Sequence, residues 1–488
     1  MISDFESVRK EWEDEGQGHV FKWYDSLDEN QKKSFEADIR QINVKEVNQD
    51  YRNVIKNKVS QKVVLSYQGF DHVKTLNTLT PKEITNWEDI GYDLIAKGKV
   101  ALLLLAGGQA SRLGTTFPKG FYDVGLPSKK SLFQLQAERI VKLQELVKSK
   151  SQHYDPSKPI QWYIMTSDAT HNETIKFFEN FGYFGLKKES FFFFCQPMIP
   201  CITPEGKIIN ESGSKISLAP NGNGGLFKAL LTSGAIQDMK NKGITHISQY
   251  CVDNILIKMA DPLFLGYMFD QAADCAAKVV SKADPEEPVG VMALQNGKPF
   301  VLEYSEIDKE SKYLKNDHGH LIFNHAHICI NAFTFDFLDR ITKTHLDDLE
   351  YHVAFKKINS ADENGVKHTP SQCNGWKLEK FIFDVFPFSN KMVCLEIERS
   401  HEFSPLKNGA GLPIPKDSPE TCLRDICHLH RLYIENAGGK VEINDSLLCE
   451  ISPLISYAGE GLESLVKDKV ISLPVEISSQ SFSNSNKN

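Results

Sequence analysis

The sequence predicts an α/β fold: a central mixed sheet flanked by helices, a helical region before it and a smaller domain after it. Three observations support this. Apolar, strand-like runs alternate with amphipathic segments from about residue 96 onward. A run of leucines passes at Leu105 directly into a glycine-rich loop. Another apolar run ends at Asp253. Ligands of open α/β sheets bind beyond the carboxyl ends of the strands, so these two strand ends are the candidate site.

Three domains are predicted along the chain. Residues 1–95 are expected to be mainly helical because apolar residues recur at helical spacing, as in EWEDEGQGHVFKWYDSL. Residues 96–385 are expected to form the central domain. Residues 386–488 are expected to form a C-terminal domain, since the Pro/Gly-rich stretch HEFSPLKNGAGLPIPKDSPE follows closely. The last eight or so residues, ending SNSNKN, are expected to be disordered.

The central domain is predicted element by element. A strand over residues 100–106 and the glycine loop are followed by a helix that Ser131 and Gln134 cap as a box. Thr170 and Glu173 predict a second capping box before the next helix. The remaining predicted elements are the strand IQWYIMT, the strand FFFFCQ, a helix near GGLFKALLTSGAIQDMKNKG and the strand THISQYCV.

Composition restricts the classes of function. A net charge of −8 over 488 residues argues against nucleic acid or an anionic membrane as the main partner. The ten cysteines form no CxxC pair, and the cluster Cys422, Cys427, His428 and His430 fits no common zinc spacing, so helix packing is the favoured interpretation. Free thiols, no secretory h-region and no membrane-length apolar run predict a cytoplasmic protein.

The glycine loop LLLLAGGQASRLGTTFPKG carries only positive charge. It is no Walker A loop, because Gly108 and Gly114 are one residue too far apart, and it contains no GxGxxG. Glycines at a strand end allow backbone N–H groups to approach a ligand, and Arg112 and Lys119 are suited to phosphate oxygens. The alternative is an ordinary glycine turn with two surface cations.

Two further features suit a nucleotide. Asp253 at a strand end could bind Mg²⁺ chelated by a nucleotide, although an Asp-Asn pair often only caps a turn. The cluster APNGNGG contains no cation, which favours a base or sugar over phosphate. Gln196 offers an amide that both donates and accepts, as a uracil edge requires.

Nine blocks, in order from about residue 95 to 465, resemble the eukaryotic UDP-N-acetylglucosamine pyrophosphorylases, of the UDPGP-type nucleotidyltransferase family. They are LLLAGGQASRLGTTFPKGFYDVGLP, QPMIP, LAPNGNGG, YCVDNILIKMADP, PVGV, EYSE, KLEKFIFD, EFSPLKN and CEISPLISYAGEGLES. The resemblance implies a Rossmann-like sheet of the nucleotide-diphospho-sugar transferase type. It also implies Mg²⁺- or Mn²⁺-assisted uridylyl transfer from UTP to N-acetylglucosamine 1-phosphate, which gives UDP-N-acetylglucosamine and pyrophosphate. N-acetylgalactosamine 1-phosphate is a second expected acceptor.

The resemblance assigns roles to particular residues. The expected nucleotide contacts are Gly107, Gly108, Gln196 and Gly222. The expected phosphate contacts are Arg112, Lys119, Lys377 and Lys407, with Lys377 on the α-phosphate and Asp253 on the metal. The expected sugar contacts are Asn223, Gly290, Glu303 and His327. Because the attacking phosphate oxygen is already ionised, catalysis needs positioning and cations rather than a general base.

Three departures from the family pattern bear on specificity and strain. Ala110 and Ser111 stand where Gly-Thr is usual, and alanine would cost about 1 kcal/mol if its φ were positive. Asn221 replaces the usual Asp, and His327 replaces an asparagine that contacts the sugar. The alternatives are a UDP-glucose or broad UDP-sugar pyrophosphorylase and a non-catalytic UDP-sugar sensor. A monomer or weak homo-oligomer that binds neither nucleic acid nor membrane is expected.

Overall fold

The structure is a computed structural model of the chain, and it describes residues 5–60, 67–442 and 446–479. The chain divides into two compact units. The larger unit contains residues 67–195, 230–343 and 386–488, and the smaller unit contains residues 1–66, 196–229 and 344–385. The predicted disordered tail lies outside the described residues, and the predicted boundaries near residues 95 and 385 stay predictions.

The described residues form short and medium-length α-helices. In chain order they are α1 Phe5–Asp14, α2 Glu29–Gln41, α3 Val44–Ser60, α4 Pro81–Ala96, α5 Leu132–Lys150, α6 His171–Asn180, α7 Leu226–Thr232, α8 Ala235–Asn241, α9 Pro262–Asp270, α10 Phe335–Thr344, α11 Arg399–Glu402, α12 Pro419–Asn436 and α13 Glu463–Val466. In the described part of the chain, no helix is both long and apolar enough to cross a membrane.

The strands are mostly short. In chain order they are β1 Tyr67–Gly69, β2 Val73–Thr75, β3 Val100–Leu105, β4 Gln161–Thr166, β5 Phe191–Cys195, β6 Met198–Pro200, β7 Asn210–Ser212, β8 Lys215–Ile216, β9 Leu218–Pro220, β10 His246–Cys251, β11 Cys275–Ser281, β12 Val291–Gln295, β13 Lys298–Leu302, β14 His325–Thr334, β15 His352–Lys356, β16 Ser360–Ala361, β17 Lys367–His368, β18 Gly375–Glu379, β19 Met392–Glu396, β20 Lys440–Glu442, β21 Cys449–Ile451, β22 Val470–Ser472 and β23 Val475–Ile477.

The core of the larger unit is a mixed sheet in the order β2-β19-β11-β14-β10-β3-β4-β5. Strands β10, β3, β4 and β5 are parallel, as are β2, β19 and β11. Only β14 runs antiparallel to both of its neighbours along this path. A βαβ crossover returns to the same edge, so the parallel strands place their carboxyl ends together. The predicted mixed α/β class is confirmed.

Helices cover both faces of this sheet. On one face, Leu102 and Leu104 of β3 share a buried cluster with Phe133 and Ala137 of α5. On the other face, the Tyr163 hydroxyl of β4 donates to an Asp238 carboxylate oxygen of α8 over 2.6 Å. Every residue of β3 and β4 is buried, which is why these strands appear in the sequence as continuous apolar runs.

The predicted strands are confirmed. The first cap forms through Ser131 alone and not as a reciprocal box, since the Gln134 side-chain amide donates to Glu138 Oε1 over 2.9 Å. The second cap is wrong. The Ser131 hydroxyl accepts from the Gln134 N–H over 3.2 Å and starts α5. Thr170 does precede α6, yet its φ and ψ of −119° and −12° are not those of an extended N-cap, and its side chain caps nothing. Its hydroxyl instead accepts from the Ser167 N–H over 3.1 Å. The single helix predicted near residues 224–243 is two helices, separated at Gly234 with φ +80°.

The smaller unit is built from helices α1–α3 and short antiparallel strand pairs. Trp12 and Phe35 from the helices share a buried cluster with Ile202, Ile208 and Leu378. The pairs are β6-β9, β7-β8, β15-β18 and β16-β17. Of the elements before residue 97, α1–α4 are helical, whereas β1 and β2 join the central sheet.

Candidate functional site

The glycine loop leaves β3 and folds back on itself. The Ala110 N–H donates to the Phe117 carbonyl over 3.0 Å, and the Lys119 N–H donates to the Gly108 carbonyl over 3.2 Å. The Ser167 hydroxyl at the end of β4 donates to the Gly107 carbonyl over 2.7 Å. These bonds hold Gly108 and Lys119 side by side at the carboxyl end of the sheet. Ser167, which the sequence does not single out, is a positioning residue for the loop.

The alanine in this loop is not strained. Ala110 has φ −82° and is buried, while Gly114 takes the left-handed conformation with φ +80°. The substitution of Gly by Ala at position 110 therefore fits an ordinary backbone conformation and incurs no left-handed penalty. Arg112 lies in the turn between these two residues and is exposed.

Lys119 and Asp253 form an ion pair in the larger unit. Lys119 Nζ lies 3.6 Å from Asp253 Oδ2, and the two side chains are 17% and 19% exposed. They meet because β3 and β10 are parallel and pair Leu105 with Cys251, so the loops after both strands start at one edge. The sequence places these residues 134 positions apart, and only the sheet topology joins them.

The residue after Asp253 fixes a third segment beside this pair. Asn254 donates from Nδ2 to the Glu402 carbonyl over 2.7 Å, and its Oδ1 accepts from the Ser404 N–H over 3.0 Å. The Leu406 N–H then donates to the Asp253 carbonyl over 2.9 Å. Lys407, exposed, therefore follows directly after a residue that is bonded to Asp253.

The same segment also lies against the glycine loop. A Cβ added at Gly409 would be 3.0 Å from the Arg112 carbonyl. The segment 402–409 thus brings the backbone of Lys407 close to the residues that carry Arg112 and Asp253. The larger unit assembles four charged groups at one end of its sheet, and three of them are cations.

Three expected sugar contacts form a second group in the larger unit. The His327 N–H donates to the Gly290 carbonyl over 2.9 Å. A Cβ added at Gly290 would lie 2.8 Å from Glu303 Oε1, so only glycine allows this carboxylate so close. A bulge opposite Lys278 and Val279, where Cys329 has φ +58°, gives β14 its irregular course at this point. Glu303 and His327 are both half-buried.

The His327 ring is held by buried amides. Its Nε2 lies 2.9 Å from Asn331 Oδ1, and Asn331 Nδ2 donates to Gln249 Oε1 over 2.6 Å. Asn331 and Gln249 are both fully buried, and the ring packs edge-on against Phe386 at 5.5 Å between centroids. Burial lowers the pKa of His327 to about 4, although the bond to Asn331 opposes the shift. His327 is therefore a neutral imidazole near pH 7.

The remaining predicted residues, Gln196, Gly222, Asn223 and Lys377, lie in the smaller unit. Gly222 has φ +66°, and a Cβ there would lie 2.3 Å from the Lys380 carbonyl, so the position requires glycine. The Asn223 Oδ1 accepts from the Ile382 N–H over 2.9 Å. This bond ties the loop to the segment that follows β18, the strand that carries the half-buried Lys377.

A chain of backbone bonds places Gln196 beside the same loop. The Asn221 N–H donates to the Pro197 carbonyl over 3.2 Å, and the Lys380 N–H donates to the Asn221 carbonyl over 3.2 Å. Asn221 is buried, and its Oδ1 has no hydrogen-bond partner. The four predicted residues of the smaller unit thus belong to segments that are bonded to one another.

Among the described residues, no group of three or more His, Cys, Asp or Glu side chains is placed to hold a metal ion. Cys422, Cys427 and His430 are buried along α12. His430 Nδ1 accepts from the Ile451 N–H over 3.1 Å, and burial, with Arg139 nearby, lowers its pKa to about 3. Packing accounts for these residues.

Comparisons with known proteins identify close relatives. The family model described as UTP--glucose-1-phosphate uridylyltransferase matches residues 44–461. A probable UDP-N-acetylglucosamine pyrophosphorylase of Dictyostelium discoideum is 68% identical, covering 97% of this chain and 98% of that protein. The UDP-N-acetylglucosamine pyrophosphorylase of Saccharomyces cerevisiae is 40% identical over 93% of this chain and 96% of its own length. The crystal structure of the uridine diphosphate N-acetylglucosamine pyrophosphorylase of Trypanosoma brucei, solved with an inhibitor, gives a TM-score of 0.82 at 30% identity, over 95% of each chain.

Proposed function

The chain belongs to the UTP--glucose-1-phosphate uridylyltransferase family, and on that premise we propose that it transfers a uridylyl group from UTP to N-acetylglucosamine 1-phosphate. The products are UDP-N-acetylglucosamine and pyrophosphate. N-acetylgalactosamine 1-phosphate is proposed as a second acceptor. The close relatives named for the N-acetylglucosamine reaction, at 68% and 40% identity, support this acceptor over glucose 1-phosphate.

The observation that carries the proposal is the convergence of Lys119 and Asp253 next to the glycine loop. One cation and one carboxylate, 3.6 Å apart and largely shielded from solvent, suit a triphosphate that arrives with a divalent ion. When the nucleotide binds, Lys119 exchanges Asp253 for a phosphate oxygen, and Asp253 exchanges Lys119 for the ion. The pair therefore keeps both charges compensated before the nucleotide binds.

The reaction is an in-line displacement at the α-phosphorus of UTP. A phosphate oxygen of the sugar phosphate forms the new P–O bond, and the bond to the pyrophosphate breaks. The nucleophile is already ionised near pH 7, so no side chain must remove a proton. Arg112 and Lys119 hold the departing pyrophosphate and Lys377 holds the α-phosphate. Each well-placed donor of this kind lowers the barrier by about 3 kcal/mol.

A divalent ion fits the donor set of this chain. Mg²⁺ in nucleotide sites commonly binds one or two carboxylates and completes its shell with phosphate oxygens and water. Asp253 offers one carboxylate at the correct strand end, and the positive Lys119 beside it is balanced by the phosphates. Bound there as Mg²⁺ or Mn²⁺, the ion would neutralise phosphate charge. Lys407, on the segment bonded to Asp253, is proposed as a further phosphate contact.

The other assignments are those that the resemblance to the family implies. Gly107, Gly108, Gln196 and Gly222 are proposed to contact the nucleotide. Asn223, Gly290, Glu303 and His327 are proposed to contact the sugar. The protein is proposed to act in the cytoplasm as a monomer or weak homo-oligomer, without nucleic acid or membrane partners. All ten cysteines are free thiols, which agrees with a reducing compartment.

Pyrophosphate release from UTP and each sugar phosphate tests the proposal. We expect kcat/KM for N-acetylglucosamine 1-phosphate to exceed that for glucose 1-phosphate; the reverse order would refute the acceptor.

Arg112→Ala and Lys377→Ala are each expected to lower kcat by about a hundredfold or more. Lys148→Ala, an exposed cation on α5, is the matched control and is expected to retain full turnover. Unchanged turnover in either site variant removes that residue from the active site.

A further inference from the structure

A polar chain through the sheet ends on the His327 ring. It runs from His327 Nε2 to Asn331 Oδ1 over 2.9 Å, and from Asn331 Nδ2 to Gln249 Oε1 over 2.6 Å. Gln249 Nε2 then points to Cys329 Sγ at 3.9 Å. Asn331 and Gln249 face each other across β14 and β10, in register. Neither residue has any exposed surface, so water cannot replace either partner.

Such a chain has a direction, because each amide offers a donor at one end and an acceptor at the other. With Asn331 Nδ2 donating to Gln249, only Oδ1 faces the imidazole, and His327 Nε2 must carry the proton. If one amide alone were turned around, two donors or two acceptors would face each other in a site that contains no water to separate them. The chain therefore reverses as a whole or not at all, and the tautomer of His327 reports its direction.

We propose that Asn331 and Gln249 are positioning residues that hold His327 as the neutral Nε2–H tautomer, so that Nδ1 is the acceptor atom of the sugar contact. This inference rests on the proposed function for its link to the sugar, but the tautomer itself does not. A histidine fixed in this way accepts a hydrogen bond from a sugar hydroxyl or amide N–H and cannot donate one. An asparagine at the same position could do both, which is the expected source of altered sugar preference.

The surroundings of the ring favour the neutral form. Burial is the main influence on its pKa, and the Asn331 bond is the other. The nearby carboxylate is Glu303, which lies against Gly290, the acceptor of the His327 N–H. Replacing the Asn331 amide by a carboxylate would place a negative charge at the Nε2–H and favour the imidazolium ion.

The first experiment is ¹⁵N NMR of the histidine rings in the full-length protein. His327→Asn identifies the His327 signals among the 15 histidines. The expected pattern at pH 7 is a protonated Nε2 and an unprotonated Nδ1. Gln249→Glu keeps the acceptor for Asn331 Nδ2 and is expected to preserve that pattern. A protonated Nδ1 in the wild type overturns the proposal, whether or not the protein transfers uridylyl groups.

The second experiment uses Asn331→Asp and the pH dependence of kcat/KM for the sugar phosphate. At each pH, kcat/KM of the variant is divided by kcat/KM of the wild type, and this ratio cancels the titration of the substrate. We expect the ratio to show a new ionisation between pH 5 and 8, with a change of about threefold or more, and a KM for UTP within about twofold of wild type. The double variant Asn331→Asp/His327→Asn is expected to lack this ionisation.

The two experiments separate the inference from the proposed function. Absence of all uridylyl transfer in the wild type refutes the function and leaves the NMR result to decide the tautomer. A folded, active Asn331→Asp variant without the new ionisation, or with the same ionisation in the double variant, overturns the positioning role. If Asn331→Asp does not fold, the tautomer in the wild type and in Gln249→Glu still decides the outcome.

Discussion

Gly108 and Gly222, both assigned to the nucleotide, have opposite surroundings. A Cβ at Gly108 would meet nothing within 4 Å, whereas a Cβ at Gly222, with φ +66°, would lie 2.3 Å from a carbonyl oxygen. Gly108→Ala is therefore expected to keep the wild-type free energy of unfolding but to raise the KM for UTP about tenfold or more, because the new methyl occupies space the base needs. Gly222→Ala is expected to lose about 1–3 kcal/mol of stability. Urea unfolding and UTP kinetics measure the contrast; an unchanged KM in Gly108→Ala would exclude its base contact.

Asp253 is expected to set the metal requirement. Asp253→Asn keeps the size and one oxygen of the side chain but removes the charge that attracts a divalent ion. The concentration of Mg²⁺ at half-maximal rate is expected to rise about tenfold or more, and Lys119 loses its 3.6 Å partner. Asp123→Asn, an exposed carboxylate in the same unit, is the control. A Mg²⁺ titration that does not change in Asp253→Asn would contradict the ligand role.

Single residues were predictable where a local pattern or a topological rule applied. Arg112, Lys119 and Asp253 follow strands whose apolar runs are evident, and parallel strands bring such ends together. The buried partners of His327 were not predictable, because Asn331 and Gln249 meet only through the register of two strands 82 residues apart. The conformation of Ala110 likewise depends on where the loop folds back, and a sequence does not show this.

At the scale of elements, a buried ionic cluster joins β11 to α11. Lys278 bonds to Glu402, and its Nζ lies 2.5 Å from Asp261 Oδ2; Lys258 Nζ lies 3.2 Å from Glu402 Oε1. Lys278 and Glu402 have almost no exposed surface. The cluster fixes the start of the segment 402–409 that carries Lys407. Removing the charge of Glu402 leaves two lysines with Asp261 as their remaining carboxylate, and such a loss costs about 3–5 kcal/mol.

Glu402→Gln is therefore expected to lose about 3–5 kcal/mol of unfolding free energy at pH 7. Burial alone would raise the pKa of Glu402, but Lys258 and Lys278 outweigh it and lower the pKa below its ordinary value. A lowered folded-state pKa gives stability that is present above the unfolded value, about 4.3, and is lost as the pH falls through the folded value. The difference in unfolding free energy between the wild type and Glu402→Gln should therefore become smaller below about pH 4.5.

Urea unfolding at pH 7, 4 and 3 measures this dependence. Glu398→Gln, an exposed carboxylate four positions before Glu402, is expected to remain within about 0.5 kcal/mol of wild type at each pH. A constant difference between wild type and Glu402→Gln across this range would contradict the charge-based explanation and leave only packing.

Elements were predictable to the extent that their signals are local. The four strands β3, β4, β5 and β10 are apolar runs with polar ends, and the structure confirms each. The antiparallel insertion of β14 between β10 and β11 is a long-range choice that no local pattern specifies. Thr170 and Glu173 match a capping box, but the Ser167 N–H competes for the same hydroxyl, and the tertiary position of Ser167 decides the outcome.

At the scale of the whole molecule, the last hundred residues contribute to the larger unit in two places. Strand β19 is hydrogen-bonded on one side to β11 and on the other to β2. A second buried cluster combines Leu126 and Leu132, near the glycine loop, with Ile426 of α12 and Ile451 of β21. The chain after residue 385 therefore contributes both to the sheet and to the apolar support of the glycine loop.

A fragment ending at residue 385 is accordingly expected not to fold. Its β11 and β2 would expose unpaired edges, and the apolar residues between 124 and 135 would face solvent. We expect such a fragment to aggregate or to unfold without a cooperative transition, and to bind no UTP. A chain ending at residue 479, which removes only the polar tail, is the matched control and is expected to match the full-length Tm. A soluble, cooperatively folded fragment of residues 1–385 would show instead that the predicted boundary there separates independent domains, because β19 and α12 would then be dispensable for the sheet.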